Sequence, residues 1–145
     1  MAFKINIGTK QGKTYKLETE SQILVGKELH QKIQGKDVSP ELEEYEFEIT
    51  GASDKSGFTA LESVEGDGLK KALLKYGKAM KKRPRREGKK KRSNYTPKGL
   101  RLRKTVRGKV ISPAIVQINL KVIKDGKKPL EEIFPSVKKE EAKKE

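Results

Sequence analysis

The sequence predicts a mainly β fold: a small barrel-like domain of short strands, one or two short helices, and a long basic extension. Three observations predict it. Apolar and polar residues alternate in several short runs, which is the period of a half-buried strand. Turn sequences containing glycine separate those runs. At 145 residues the chain suits one domain, and 38% of its residues are charged, against about 25% in ordinary soluble domains.

Taken in order, Phe3, Ile5 and Ile7 alternate with polar neighbours and predict a strand. Residues 8–12 are turn material, and Tyr15 and Leu17 resume the alternation, so the two runs predict a hairpin. Ile23, Leu24 and Val25 read as a short buried run, and residues 27–33 as a helical turn. Ser39-Pro40 punctuates the chain before an acidic stretch. Residues 44–49 give the clearest strand, with Tyr45, Phe47 and Ile49 on one face and Glu44, Glu46 and Glu48 turned together into solvent. A loop is expected over 51–57. Residues 69–80 fit helical spacing through Leu69, Ala72, Leu73, Tyr76 and Met80, and strand alternation through Ala72, Leu74 and Tyr76, so periodicity leaves both open. Residues 114–123 read as another strand, closed by an Asp125-Gly126 turn. No internal repeat is evident. The expected organisation is a single domain over 1–136 carrying a basic insert at 81–109, then a charged tail at 137–145 that is frayed or an exposed helix. The expected core is Phe3, Ile5, Tyr15, Leu17, Phe47, Ile49, Ile118 and Leu120.

The net charge of +15 is unevenly placed. Residues 1–68 carry net −5, residues 69–110 carry +18 with Glu87 their sole acid, and residues 111–145 carry +2. All seven arginines fall within 25 consecutive positions, and every other basic residue is lysine. Lysine is a well-hydrated point charge suited to solubility, whereas the planar arginine fork grips phosphate in bidentate fashion. Between 81 and 109, 15 of 29 residues are basic and only Tyr95, Leu100, Leu102 and Val106 are apolar. Such a stretch buries too little surface to offset its ordering entropy and repels itself, so order is expected only when a polyanion neutralises it. A solvated loop or a localisation-type basic run is the plainer alternative; the length and the arginine concentration favour nucleic acid. Only Tyr95 among the aromatics lies in this stretch, so contact with phosphate and RNA shape is expected rather than a stacking platform.

Other chemistries find little support. With no cysteine there is no disulfide framework, thiolate zinc site or thiol nucleophile, and one histidine, His30, supplies no multi-histidine metal site or catalytic centre. Apolar runs of three residues, such as Ile23-Leu24-Val25, are far short of the roughly 20 of a membrane helix. No signal-peptide core is present, which predicts a soluble intracellular protein. Gly8 to Gly12 spans three residues where a phosphate-binding loop needs about four, and a strand rather than a helix follows. The glutamates at 41–48 lack the turn glycines of a calcium loop, so a solvated face is expected there. No metal and no cofactor is expected, and nothing supports catalysis.

Specific strings resemble a known family. Residues 45–58, YEFEITGASDKSGF, are similar to an apolar strand followed by G-G-x-D-x-x-G-F-P-M, matched at Gly51, Asp54, Gly57 and Phe58. Ala52 stands for the second glycine and Thr59-Ala60 for Pro-Met. Residues 83–88, RPRREG, resemble R-P-R-R-x-G-E. Residues 105–108, TVRG, then ISP at 111–113 and IVQIN at 115–119 resemble T-V-R-G-x-x-I-S-P-x-I-V-Q-I-N. These are signatures of the e-type ribosomal protein S-six family of eukaryotic and archaeal small subunits, in its short archaeal form. The interval 93–102 looks longer than the family's, and the Lys/Glu tail after Pro135 is extra.

The resemblance implies a small β-rich body on the small ribosomal subunit, in the cytoplasm, and an extended conformation over 69–76. It implies a structural constituent of the ribosome that supports translation, with small-subunit ribosomal RNA and neighbouring ribosomal proteins as partners. No membrane, small-molecule substrate or homo-oligomer is expected. The RNA contacts are expected from Lys81, Lys82, Arg83, Arg85, Arg86, Lys89, Lys90, Lys91, Arg92, Arg101, Arg103, Lys104, Arg107 and Lys109. Gly88, Gly99 and Gly108 would allow close approach to a sugar-phosphate chain. Gly51, Asp54, Gly57, Phe58, Gly108 and Pro113 are expected in structural roles. A free-standing nucleic-acid-binding or chaperone protein would show the same charge pattern; an RNA-modifying enzyme would need a cofactor loop or an acid/base pair.

Overall fold

Alternation builds the first hairpin as expected. In the computed structural model, which describes residues 2–80 and 98–134, β1 (Phe3–Gly8) and β2 (Thr14–Thr19) pair antiparallel. Phe3, Ile5, Ile7 and Tyr15 point inward, and Leu17 is half-buried against the same core. Between the strands Gly12 takes a φ of +87°, a conformation costly for any residue with a Cβ.

The next segment departs from its reading. A 3₁₀ turn over Gln22–Leu24 buries only Leu24, and Ile23 (58% exposed) and Val25 face outward, because a single tight turn cannot direct three consecutive side chains inward. The helical turn expected over 27–33 does not form. The His30 amide donates to the Ile49 carbonyl (2.7 Å) and the Ile49 amide to the Gln31 carbonyl (3.2 Å), so these backbone groups are satisfied across strands. β3 (Lys32–Gln34) follows, then 3₁₀ turns at Gly35–Asp37 and Pro40–Leu42.

β4 (Glu46–Asp54) runs further than expected, taking Gly51 to Asp54 out of the predicted loop. Its burial changes phase midway: Phe47 and Ile49 are inside, then Ala52 and Asp54. Pairing explains this. β7 (Ile115–Lys124) lies antiparallel to β4, and Ile49 faces Leu120 while Gly51 faces Asn119, so Thr50 is an extra residue in the ladder. Such a bulge flips the inward set by one position and turns the Asp54 carboxylate into the protein.

The principal sheet has the order β2-β1-β7-β4-β3, with β1 and β7 parallel. It is open rather than barrel-like: β3 has three residues and pairs only with β4, which gives β2 no second edge to close against. All eight expected core residues lie in or against one apolar cluster, completed by residues such as Leu24, Leu42, Ile111 and Leu130. Leu130 opens the one-turn α1 (Leu130–Ile133).

The ambiguity over 69–80 resolves as strand. β5 (Leu69–Leu74) pairs antiparallel with β6 (Leu102–Arg107) in a separate two-stranded ribbon. Its inner side meets a second small cluster of Leu61, Val64 and Val106, with Ala72, Leu74 and Ala79 packed against it.

Candidate nucleic-acid interface

The ribbon displays the described part of the basic segment. Cross-strand partners share a face, so Leu69 with Arg107, Lys71 with Thr105 and Leu73 with Arg103 lie on one side. Lys70 with Val106, Ala72 with Lys104 and Leu74 with Leu102 lie on the other. Arg101, Arg103 and Lys104 are exposed, as are Lys70 and Lys71. Among the described residues Arg101, Arg103 and Lys104 have no carboxylate within ion-pair distance, which leaves their charge to an external anion.

Arg107 and Lys109 differ. The Arg107 side chain is mostly buried, and its Nε donates to Asp54 Oδ2 at 3.1 Å while Nη1 donates to the Asp67 carbonyl at 3.2 Å. Its amide donates to the Thr59 carbonyl and its carbonyl accepts from Leu61. Arg107 therefore fastens the ribbon to the sheet. Lys109 Nζ lies 3.0 Å from Glu65 and 3.3 Å from Glu28, and both carboxylates, Glu65 foremost, hold its ammonium above the usual lysine range. Both cations are thus engaged by carboxylates of this chain.

Within the basic segment, residues 102–107 form β6. β5 supplies the backbone partners and Val106, fully buried, supplies the apolar anchor. Gly108 is explained by packing: a Cβ there would sit 1.9 Å from the Gly66 carbonyl oxygen, so its close approach is to this chain's own backbone.

Sequence comparison decides among proteins that could carry such a ribbon. The family described as Ribosomal protein S6e matches residues 3–96 and 93–135. A small ribosomal subunit protein eS6 from Methanococcus maripaludis is 41% identical over 131 residues, covering 90% of this chain and 94% of that protein. The eS6 protein of Archaeoglobus fulgidus is 39% identical over 140 residues, covering 92% and 96%. That of Nanoarchaeum equitans is 36% identical over 130 residues, covering 89% and 86%. The chain belongs to the Ribosomal protein S6e family.

The S6e signature now has a physical reading. Gly51 follows the bulge in β4, opposite Asn119. Asp54 Oδ1 accepts the Phe58 amide (2.9 Å), the Asp54 amide donates to the Phe58 carbonyl, and the Gly57 amide donates to the Asp54 carbonyl. Gly57 closes that turn at φ +86°. Burial pushes the Asp54 carboxyl up, but the Phe58 amide and the Arg107 guanidinium outweigh it and hold the group below its ordinary value. One carboxylate thus ties the signature loop to the TVRG strand. Pro113 occupies a turn in which the Ile115 amide donates to the Ser112 carbonyl at 3.0 Å.

Among the sequence-predicted contacts, Lys81, Lys82, Arg83, Arg85, Arg86, Lys89, Lys90, Lys91 and Arg92 lie outside the described residues, as does Gly88. The 137–145 tail lies outside them too. The glutamate face is a partnered one: Glu46 pairs with Lys124 and Glu44 with Lys127, and Glu48 Oε1 lies 2.9 Å from His30 Nδ1. His30 is a surface side chain whose second ring nitrogen reaches Glu62 at 3.0 Å. Among the described residues no group of three or more His, Asp or Glu could hold a metal ion, and no helix is long and apolar enough to cross a membrane.

Proposed function

We propose that this S6e-family chain is a structural constituent of the small ribosomal subunit and binds its ribosomal RNA through the arginine- and lysine-rich segment within 81–109. The observation that carries the reading is the confinement of every arginine to 25 positions, in a chain whose curated relatives are named small ribosomal subunit proteins. The described cations fall into two jobs. Arg107 and Lys109 seat the ribbon, and Arg101, Arg103 and Lys104 are free to meet phosphates. Recognition then follows RNA shape and backbone, with neighbouring ribosomal proteins completing the site, and involves no catalytic step.

Salt-dependent binding to in-vitro-transcribed small-subunit RNA tests it. With about eight phosphates engaged, log K should fall with log salt at a slope of roughly −6 to −7. Neutralising Arg101, Arg103 and Lys104 to Gln together should flatten that slope by about 2–3 and leave the melting temperature unchanged. A slope untouched by the triple substitution would exclude these three residues, and binding without salt dependence would exclude the mechanism.

A further inference from the structure

Phe58 is out of place. Phe3 and Phe47 are buried in the main cluster and Phe134 packs against it, whereas Phe58 joins neither apolar cluster and stays partly exposed. Asp54 fixes both of its backbone polar groups, so the loop sets the position from which the ring projects. In front of it lies a cleft of about 280 Å³, lined by Ser56, Gly57, Phe58, Thr59, Ala79, Lys104 and Thr105. Among the described residues the hydroxyls of Ser56, Thr59 and Thr105 make no hydrogen bond to protein, and Lys104 has no acidic partner.

The wall formed by β6 adds a backbone contribution. Arg107 turns its amide and carbonyl away from β5, toward Thr59 and Leu61. The two-residue period of a strand makes Thr105 do the same. Among the described residues no hydrogen bond to the amide or carbonyl of Thr105 comes from the loop side, so that donor and acceptor pair face the cleft.

An aromatic face, hydroxyls, one backbone donor and acceptor pair, and a cation at the rim form a set that suits one kind of ligand. We propose that this cleft takes a single unpaired nucleotide of the ribosomal RNA, its base stacked on Phe58, its edge read by Thr105 and the loop hydroxyls, and its phosphate met by Lys104. The proposal rests on the RNA-binding reading above and adds to it a stacking contact, which the charge pattern alone does not contain. Stacking of bases on aromatic rings is how unstacked RNA is usually held.

Phe58→Leu removes the aromatic face and keeps apolar bulk. In the full-length protein, binding to small-subunit RNA should weaken about tenfold with an unchanged salt slope, since no phosphate contact is lost. Lys104→Gln should instead flatten the slope by about 0.7–0.9. Melting curves of both variants should overlay the wild type. Ultraviolet cross-linking of the complex should place a nucleotide adduct on the tryptic peptide covering residues 56–70. Salt-dependent binding with wild-type affinity in Phe58→Leu, and adducts confined to other peptides, would overturn the nucleotide site and leave the RNA-binding reading intact. Loss of salt-dependent RNA binding in the wild type itself would overturn both.

Discussion

The five-stranded sheet and the two-stranded ribbon use the same alternation of side chains to opposite ends. Twenty buried residues join in the sheet's cluster, so its strands are held along their whole length. The ribbon buries only Val106, within a small cluster with Leu61 and Val64, and leaves Leu69, Leu73, Lys71, Arg103 and Lys104 exposed. It is seated at one end, by Val106, the Arg107–Asp54 pair and the close contact at Gly108. The difference teaches that the sheet stores stability, whereas the ribbon is a holder for cations with just enough anchoring to keep its aim.

That contrast can be broken from the sheet side first. Phe47→Ala, in the fully buried centre of β4, should cost about 3–5 kcal/mol in urea unfolding and lower sheet and ribbon signals together. Asp54→Asn separates the two regions. It leaves the Arg107 charge mostly buried without its partner, which costs up to about 3 kcal/mol, and the loss should be local. Hydrogen exchange should quicken at Val106, Arg107 and the 56–59 loop while amides of β1 and β7 keep their protection.

Acid gives a milder version of the same separation. A carboxyl with a depressed folded pKa contributes stability above its unfolded value, about 3.9, and loses it as pH falls through the folded value. Between pH 6 and 4.5 the ribbon's amide protection should therefore stay constant, and below about 4 it should decline ahead of the sheet's. Simultaneous loss in both regions would mean that Asp54 is not the joint between them.

Much of the sheet was readable because its strands bury one face, and alternation in a sequence reports that directly. Phe3, Ile5, Ile7, Phe47, Ile49, Ile118 and Leu120 all sit where their spacing put them. β6 was hidden for the converse reason. In Leu-Arg-Lys-Thr-Val-Arg only Val106 is fully buried, so the strand's pattern is drowned by charges on its exposed positions. The inward turn of Asp54 depends on the bulge at Thr50, which is a property of pairing with β7 and leaves no mark on β4 alone. Arg107 was read with its cationic neighbours because composition cannot tell a displayed cation from a paired one. The signal that could have separated them is its place two residues after Thr105 and one before the constrained Gly108.

β7 has a consequence for the order of events during synthesis. It is the middle strand of the sheet, between β1 and β4, yet it is made after all the other described strands. Until residues 115–124 emerge, two hairpin-like halves wait with a bare hydrogen-bonding edge each, open to pairing with foreign strands. The cationic run at 81–97 and the strand after it leave the ribosome earlier. Parallel joining of β1 to β7 across more than a hundred residues is a long-range closure, the kind of step that slows folding.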